Sequence, residues 1–212
     1  MRYYFGGVAR LRLIPREVLF TEIEFAYMTG KVSYDGNLMD AHGQLSSYSA
    51  TTAYSGVDGG LLLGSTLRAS KRFLVTPVAG AGIEYWLRNL DYNGPYGYTE
   101  KYVVPSIDCG IRLTYVFQSD IQLFTTFLAR FPLSISESFT VAPEGQDPYT
   151  VTLHPGSTPQ YRAGLGVDVY RIFVVFSFES WHLNQSDVSH QYYQPESSRQ
   201  EYGVRIGYAI GF

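Results

Sequence analysis

Along most of this chain, apolar and polar residues alternate with a period of two. The clearest case is the final stretch. There Tyr202, Val204, Ile206, Tyr208, Ile210 and Phe212 alternate with Glu201, Gly203, Arg205, Gly207, Ala209 and Gly211. Successive side chains of a strand point to opposite faces, so this segment carries one apolar face and one that is small or charged. The same pattern predicts nine strands, at roughly 2–14, 18–33, 50–67, 72–89, 101–117, 121–136, 160–170, 173–183 and 200–212.

The two faces differ sharply. One face of 72–89 reads Phe73, Val75, Pro77, Ala79, Ala81, Ile83, Tyr85 and Leu87. The next strand gives Val103, Pro105, Ile107, Cys109, Ile111, Leu113, Tyr115 and Phe117, and the one after gives Leu123, Thr125, Phe127, Ala129, Phe131, Leu133 and Ile135. None of these sets carries a charge. The opposite face collects Arg10, Arg12, Glu22, Glu24, Asp58, Glu84, Arg88, Asp108, Arg112, Arg130, Arg162, Asp168, Glu179, Glu201 and Arg205. Glycine fills many of the places between them, making room where large side chains cross a narrow interior. A soluble sandwich or lipocalin-like barrel would have to bury that charge at a density few cores sustain. A transmembrane barrel inverts the arrangement, with lipid outside and polar groups inside. The expectation is therefore an all-β, transmembrane, antiparallel up-and-down β-barrel.

Composition agrees. A length of 212 residues suits a single domain, 1–212, and at 45% apolar content no run approaches the roughly 18–20 residues of a spanning helix. Only three lysines occur, Lys31, Lys71 and Lys101, each at a strand end or in a connection, whereas a soluble sheet spreads lysine along exposed strands and edges. The formal net charge of −3 argues against nucleic acid as a partner, and the single Cys109 excludes an internal disulfide framework.

Connections alternate in length. Short ones fall at 15–17, 68–71, 118–120 and 171–172, and long ones at about 34–49, 90–100, 137–159 and 184–199. Outer-membrane barrels have short periplasmic turns and long external loops, which sets the expected sidedness. Nine strands would then start outside, although bacterial barrels have even strand numbers, and no leader precedes Met1. Both points predict a ten-stranded protein whose leader and first strand are missing from this chain. An eight-stranded barrel with Met1–Leu13 displaced is the alternative.

Turn arithmetic suggests how the interior charges pair. Arg10 falls opposite Glu22, Asp108 opposite Arg130, and Glu179 can face Arg205 across the last loop. The interior set is close to balanced, which favours a closed, charge-paired lumen over an ion-selective pore with a ring of one sign. The lumen network named by this reading is Arg10, Glu22, Glu24, Glu84, Arg88, Asp108, Arg112, Arg130, Glu179 and Arg205. The second reading is a narrow channel or binding barrel for a small polar solute, lined by Glu84, Trp86, Arg88, Glu179 and Trp181. Trp86 and Trp181, the only two tryptophans, are its candidate ligand contacts.

Catalytic chemistry finds little support. The histidines, His42, His154, His182 and His190, show no zinc-binding spacing, so neither metal nor cofactor is expected. An omptin-type rim protease would have to use Asp187 and His190 without a matching acidic pair. Trp181-His182-Leu183-Asn184-Gln185-Ser186 lacks the compact His-x-Ser-Asn arrangement of lipid A deacylases. Tyr92, Tyr96, Tyr98 and Tyr102, with Tyr192 and Tyr193, are expected in an external aromatic girdle, and Tyr208 and Phe212 in the periplasmic one.

Two segments carry a family resemblance. Val75-Thr76-Pro77-Val78-Ala79-Gly80-Ala81-Gly82-Ile83-Glu84-Tyr85-Trp86-Leu87-Arg88 resembles the strand of small residues ending in Tyr-Trp found in an uncharacterised family of Gram-negative outer-membrane β-barrel proteins. Gln194 to Tyr208 looks like that family's last loop and strand, while Tyr102 to Leu113 and Val18 to Gly36 fit more loosely. The resemblance implies the cell outer membrane as location, with the lipid bilayer, lipopolysaccharide and the outer-membrane assembly machinery as partners. It also implies that the terminal aromatic, Phe212, is read by that machinery. It carries over no catalytic residue.

Overall fold

The computed structural model describes residues 2–13, 19–39, 45–90, 98–118, 121–142, 147–189 and 192–211. Among these, every regular element is a strand. In chain order they are β1 (Arg2–Leu13), β2 (Leu19–Met39), β3 (Leu45–Ser65), β4 (Leu67–Arg68), β5 (Phe73–Leu90), β6 (Tyr98–Gln118), β7 (Ile121–Pro132), β8 (Ser136–Val141), β9 (Tyr149–Leu153), β10 (Pro155–Ser157), β11 (Gln160–Val169), β12 (Ile172–Ser186) and β13 (Ser197–Gly211). Nine of the thirteen are long and overlap the segments that period-2 alternation predicts, while β4, β8, β9 and β10 are short additions. Several run further than expected: β2 continues to Met39 and β3 begins at Leu45.

All strands join one sheet in the order β4-β5-β3-β2-β1-β13-β12-β11-β7-β6-β8-β9, and β5 and β6 also pair with each other from Phe73↔Tyr115 to Leu90↔Tyr98. Pairing is antiparallel except between β1 and β13, which run parallel from Tyr3↔Tyr202 to Arg12↔Gly211. That pair departs from a wholly antiparallel arrangement. Nine strands that alternate in direction leave the first and last pointing the same way, so the two can meet only in parallel.

The segment 137–159, expected as a loop, is mostly strand. β6 is 21 residues long and β7 only 12, so the upper part of β6 has no β7 partner. ("Upper" denotes the end of the sheet at Glu100 and Tyr102.) β7 stops at Pro132, which has no N–H to extend the ladder. β8 then takes over, pairing Val103↔Ser136 to Glu100↔Phe139, and β9 pairs with β8. This crossover also reverses Ile135. It was expected outward, but the chain turns inward after Leu133 and Ile135 is 3% exposed.

At the lower end, Val169 pairs with Ile172 across a two-residue turn in which Tyr170 and Arg171 have φ of 50° and 76°. Two positive φ values match the twist of a tight hairpin, a geometry that glycine or asparagine adopts at less cost than these residues.

Burial follows the alternation with the polarity inverted. Outward positions on the described strands include Phe25, Leu61, Ile83, Ile107, Phe127, Leu165, Phe176 and Ile206, all exposed. The inward face is tight, and two glycines illustrate it. A Cβ on Gly110 of β6 would stand 1.9 Å from the Phe127 carbonyl oxygen, whereas one on outward Gly59 of β3 would meet nothing within 4 Å. Gly110→Ala must push β6 and β7 apart, at about 1–3 kcal/mol, while Gly59→Ala should be nearly neutral. The thermal midpoints of the two variants check this: equal midpoints would show that the close β6–β7 approach is unimportant.

Candidate functional site

The buried face is stacked in storeys. Its centre is Asp58 of β3, 3% exposed, which three arginines approach: Arg162 Nη2 at 3.0 Å, Arg205 Nη2 at 3.3 Å and Arg130 Nη2 at 3.4 Å. Arg130 also donates through Nε (3.0 Å) and Nη2 (3.3 Å) to both carboxylate oxygens of Asp108, and through Nη1 to Glu179 at 3.4 Å. Its Nη1 lies 4.0 Å from Glu84. Arg162 donates to Glu179 at 3.0 Å and to Glu24 at 2.8 Å. Eight strands, β2, β3, β5, β6, β7, β11, β12 and β13, thus contribute one charged side chain each. Guanidinium forks suit this role because one planar group can satisfy several carboxylates at once.

Below lies a second pair. Arg112 of β6 grips Glu22 of β2 with two bonds of 2.8 and 2.9 Å, and its Nε donates to Thr126 at 3.0 Å. An enclosed cavity of about 30 Å³ beside it, with room for a water, is bounded below by Phe124 and Phe173.

Above the charges lies an apolar storey of Met28, Trp86, Tyr102, Val104, Ile135, Trp181 and Leu183, with Tyr54 packed against it. The rings of Trp86 and Tyr102 stack at 3.7 Å, and Trp181 meets Trp86 edge-on at 6.3 Å. At the top, Arg88 Nε pairs with Glu100, and Arg88 Nη2 donates to the side-chain oxygen of Gln194 at 2.9 Å.

The sequence expectations fare unevenly against this geometry. Arg10 stands opposite Glu22 in the ladder, as turn arithmetic predicts, although its side chain lies outside the described residues. Asp108 stands opposite Arg130 and binds it with two bonds. Glu179 does not face Arg205. β13 begins at Ser197 rather than 200, which shifts the ladder so that Glu179 opposes Glu201 and Arg205 opposes Val175. Both residues reach the network by other routes, Glu179 through Arg162 and Arg205 through Asp58. Trp86 and Trp181 point inward, at 2% and 3% exposed. They line a cavity with Arg88, but Glu84 and Glu179 sit in the storey beneath and do not line it. Tyr102, expected in an exposed girdle, is fully buried. Phe212, His42, His190, Tyr92 and Tyr96 lie outside the described residues.

The inward set is larger than the alternation predicts. Among the described residues, Glu22, Glu24, Asp58, Glu84, Glu100, Asp108, Glu137, Asp168, Glu179 and Glu201 face inward with Arg88, Arg112, Arg130, Arg162 and Arg205, while the side chains of Arg10 and Arg12 lie outside the described residues. Two of the extra acids, Glu100 and Glu137, come from segments read as loops. The alternation Glu100-Tyr102-Val104 on β6, extended upward by one step, was the signal that could have placed Glu100 inside. Gln194, also buried, carried no such signal, whereas buried Gln160 shares the alternation of Arg162.

No protein-family model, curated protein or solved structure matches the chain.

Two predictions arise from these storeys. Arg130→Ala leaves Asp58, Asp108, Glu84 and Glu179 facing one another with one cation fewer and should cost about 3–5 kcal/mol. Arg130→Lys keeps the charge but loses the fork and should fall between variant and parent. Denaturant titration reads both, and an unchanged midpoint for Arg130→Ala would show a solvated interior.

The second concerns Glu137 of β8, which faces Glu100 and Tyr102 with Arg88 beyond. Burial first, and the neighbouring Glu100 carboxylate second, push its carboxyl up from 4.5 to about 7. The folded state therefore holds this proton between those values where the unfolded chain releases it. Glu137 stabilises least above pH 7, and its penalty disappears as pH falls towards 4.5. Glu137→Gln should raise the thermal midpoint relative to the parent at pH 8 and leave it close to the parent at pH 4.5. A parent-to-variant difference that does not vary with pH would contradict the assignment.

Proposed function

We propose that this chain is an outer-membrane β-barrel of a Gram-negative bacterium, closed on itself through the β5–β6 ladder. Its charge-paired lumen does not conduct, and its role is structural or surface-exposed. The observation that carries the reading is the inversion of polarity. Large apolar side chains are exposed along every long strand whose side chains are described, while carboxylates and guanidiniums are buried inside. Water offers no reason for that distribution; a hydrocarbon surround does. Exposed Lys71, Arg68 and Arg171 stand at strand ends or turns, and exposed Lys31 and Lys101 lie on β2 and β6 near the level of Arg88 and Glu100.

The storeys support a closed lumen. Among the described residues, the charge cluster and the layer of Trp86, Tyr102 and Trp181 fill the space between cavities of about 30 and 80 Å³. A narrow channel would need a continuous polar route through these layers. The resemblance of Val75–Arg88 and Gln194–Tyr208 to an outer-membrane family supports the same location. On this reading the bilayer and lipopolysaccharide contact the outward face, and Phe212 engages the assembly machinery.

Phe127→Arg tests the lipid contact. Phe127 is outward, mid-strand and 50% exposed, so in a soluble protein an arginine there would be harmless. In a bilayer it should cost about 2–4 kcal/mol. Refolding into phospholipid vesicles under a denaturant titration reads the difference, and a variant as stable as the parent would defeat the proposal.

A further inference from the structure

At the upper end, one polar group comes from a connection rather than a strand. Gln194, 3% exposed, projects its amide between Arg88 and Tyr102. Its Oε1 accepts from Arg88 Nη2 at 2.9 Å and lies 3.2 Å from the Tyr102 hydroxyl. Its Nε2 donates only to the adjacent Pro195 carbonyl, at 3.2 Å. The backbone of Gln194 is pinned by Ser186, whose Oγ accepts at 2.8 Å and whose N–H donates to the Gln194 carbonyl at 3.0 Å.

The receiving groups keep their places without Gln194. Glu100 holds Arg88, and Trp86 stacks on Tyr102. Next to them opens a cavity of about 80 Å³ walled by Tyr54, Trp86, Trp181, Arg88, Ser197 and Ser198. The Oε2 atom of Glu137, a residue 1% exposed, lies beyond Tyr102 with no hydrogen-bond partner among the described residues. A sugar hydroxyl can satisfy it in either protonation state, donating to the carboxylate or accepting from the acid.

We infer that this cluster is a binding site for a neutral saccharide, and that Gln194 occupies it in the closed state. The chemistry narrows the choice. Arg88 and Tyr102 donate and Glu100 and Glu137 accept, so the ligand needs donors and acceptors on neighbouring atoms, as vicinal hydroxyls provide. Aromatic walls suit the apolar face of a sugar ring. A free carboxylate would meet Glu100 and Glu137, and a cation would meet Arg88. Displacing the Gln194 amide frees its space beside Arg88, which also walls the cavity, for a sugar ring. The site stands on this geometry whether or not the outward face meets lipid.

Trp86 and Trp181 are the only tryptophans, so tryptophan emission, excited at wavelengths that spare tyrosine, reports this site. The experiment titrates glucose, N-acetylglucosamine and maltose into the full chain in detergent micelles, its fold verified by circular dichroism. A saturable emission change with at least one sugar is expected. Gln194→Ala, which removes the competing amide, should tighten the apparent Kd by about tenfold. Should that variant not fold, Gln194→Met keeps the length without the acceptor. Absence of saturable change in a folded variant, or the same Kd in variant and parent, would overturn the inference.

Discussion

Asp58 is the point on which the rest of the structure depends. A carboxylate 3% exposed is sustainable only if its charge is met, and three guanidiniums from β7, β11 and β13 meet it. Each of those arginines is in turn shared with other acids, so the registers of eight strands become mutually dependent. A slip of one residue in any of them would carry its charge to the apolar face and leave its partners buried alone. Register, normally set by a hydrophobic core, is set here by ion pairs. Apolar groups on the outward face cannot do this, because that face has no packing partner within the chain.

The same inversion accounts for the storeys. With its ion pairs filling the middle, the interior holds thin apolar layers on either side of them, besides the small cluster of Leu62, Val78 and Leu128. One is Phe124 and Phe173 below, the other Trp86, Tyr102 and Trp181 above. These layers exclude water from the charge cluster and strengthen its electrostatics, since a low local dielectric magnifies every pair. Glycines such as Gly110 let the strands approach closely enough for arginines to span the interior. On the proposed reading, lipid outside and charge inside are two consequences of one pattern.

Much of this was legible in the sequence, because it rests on period-2 alternation and on tight turns. All nine long strands, the outward sets on β5 and β6, and the Arg10–Glu22 and Asp108–Arg130 oppositions follow from local spacing. The centre at Asp58 does not. Its partners lie 72, 104 and 147 residues away, and no pairing rule reaches across a sheet that far. The failed opposition of Glu179 and Arg205 has the same origin, since a long connection does not fix register as a two-residue turn does. Glu100, Glu137 and Gln194 were missed because their segments read as loops. There the chain stops following the main alternation, first at Pro132 and again beyond Ser186, and it builds the upper end from short pieces.

Single-channel recording of the folded protein in planar bilayers tests the central claim most directly. The account predicts a protein that inserts and stays electrically silent, its interior blocked by paired charge and stacked aromatic rings. Steady, ion-selective conductance from the inserted parent protein would contradict it, because no continuous aqueous path could coexist with the ion pairs that hold Asp58.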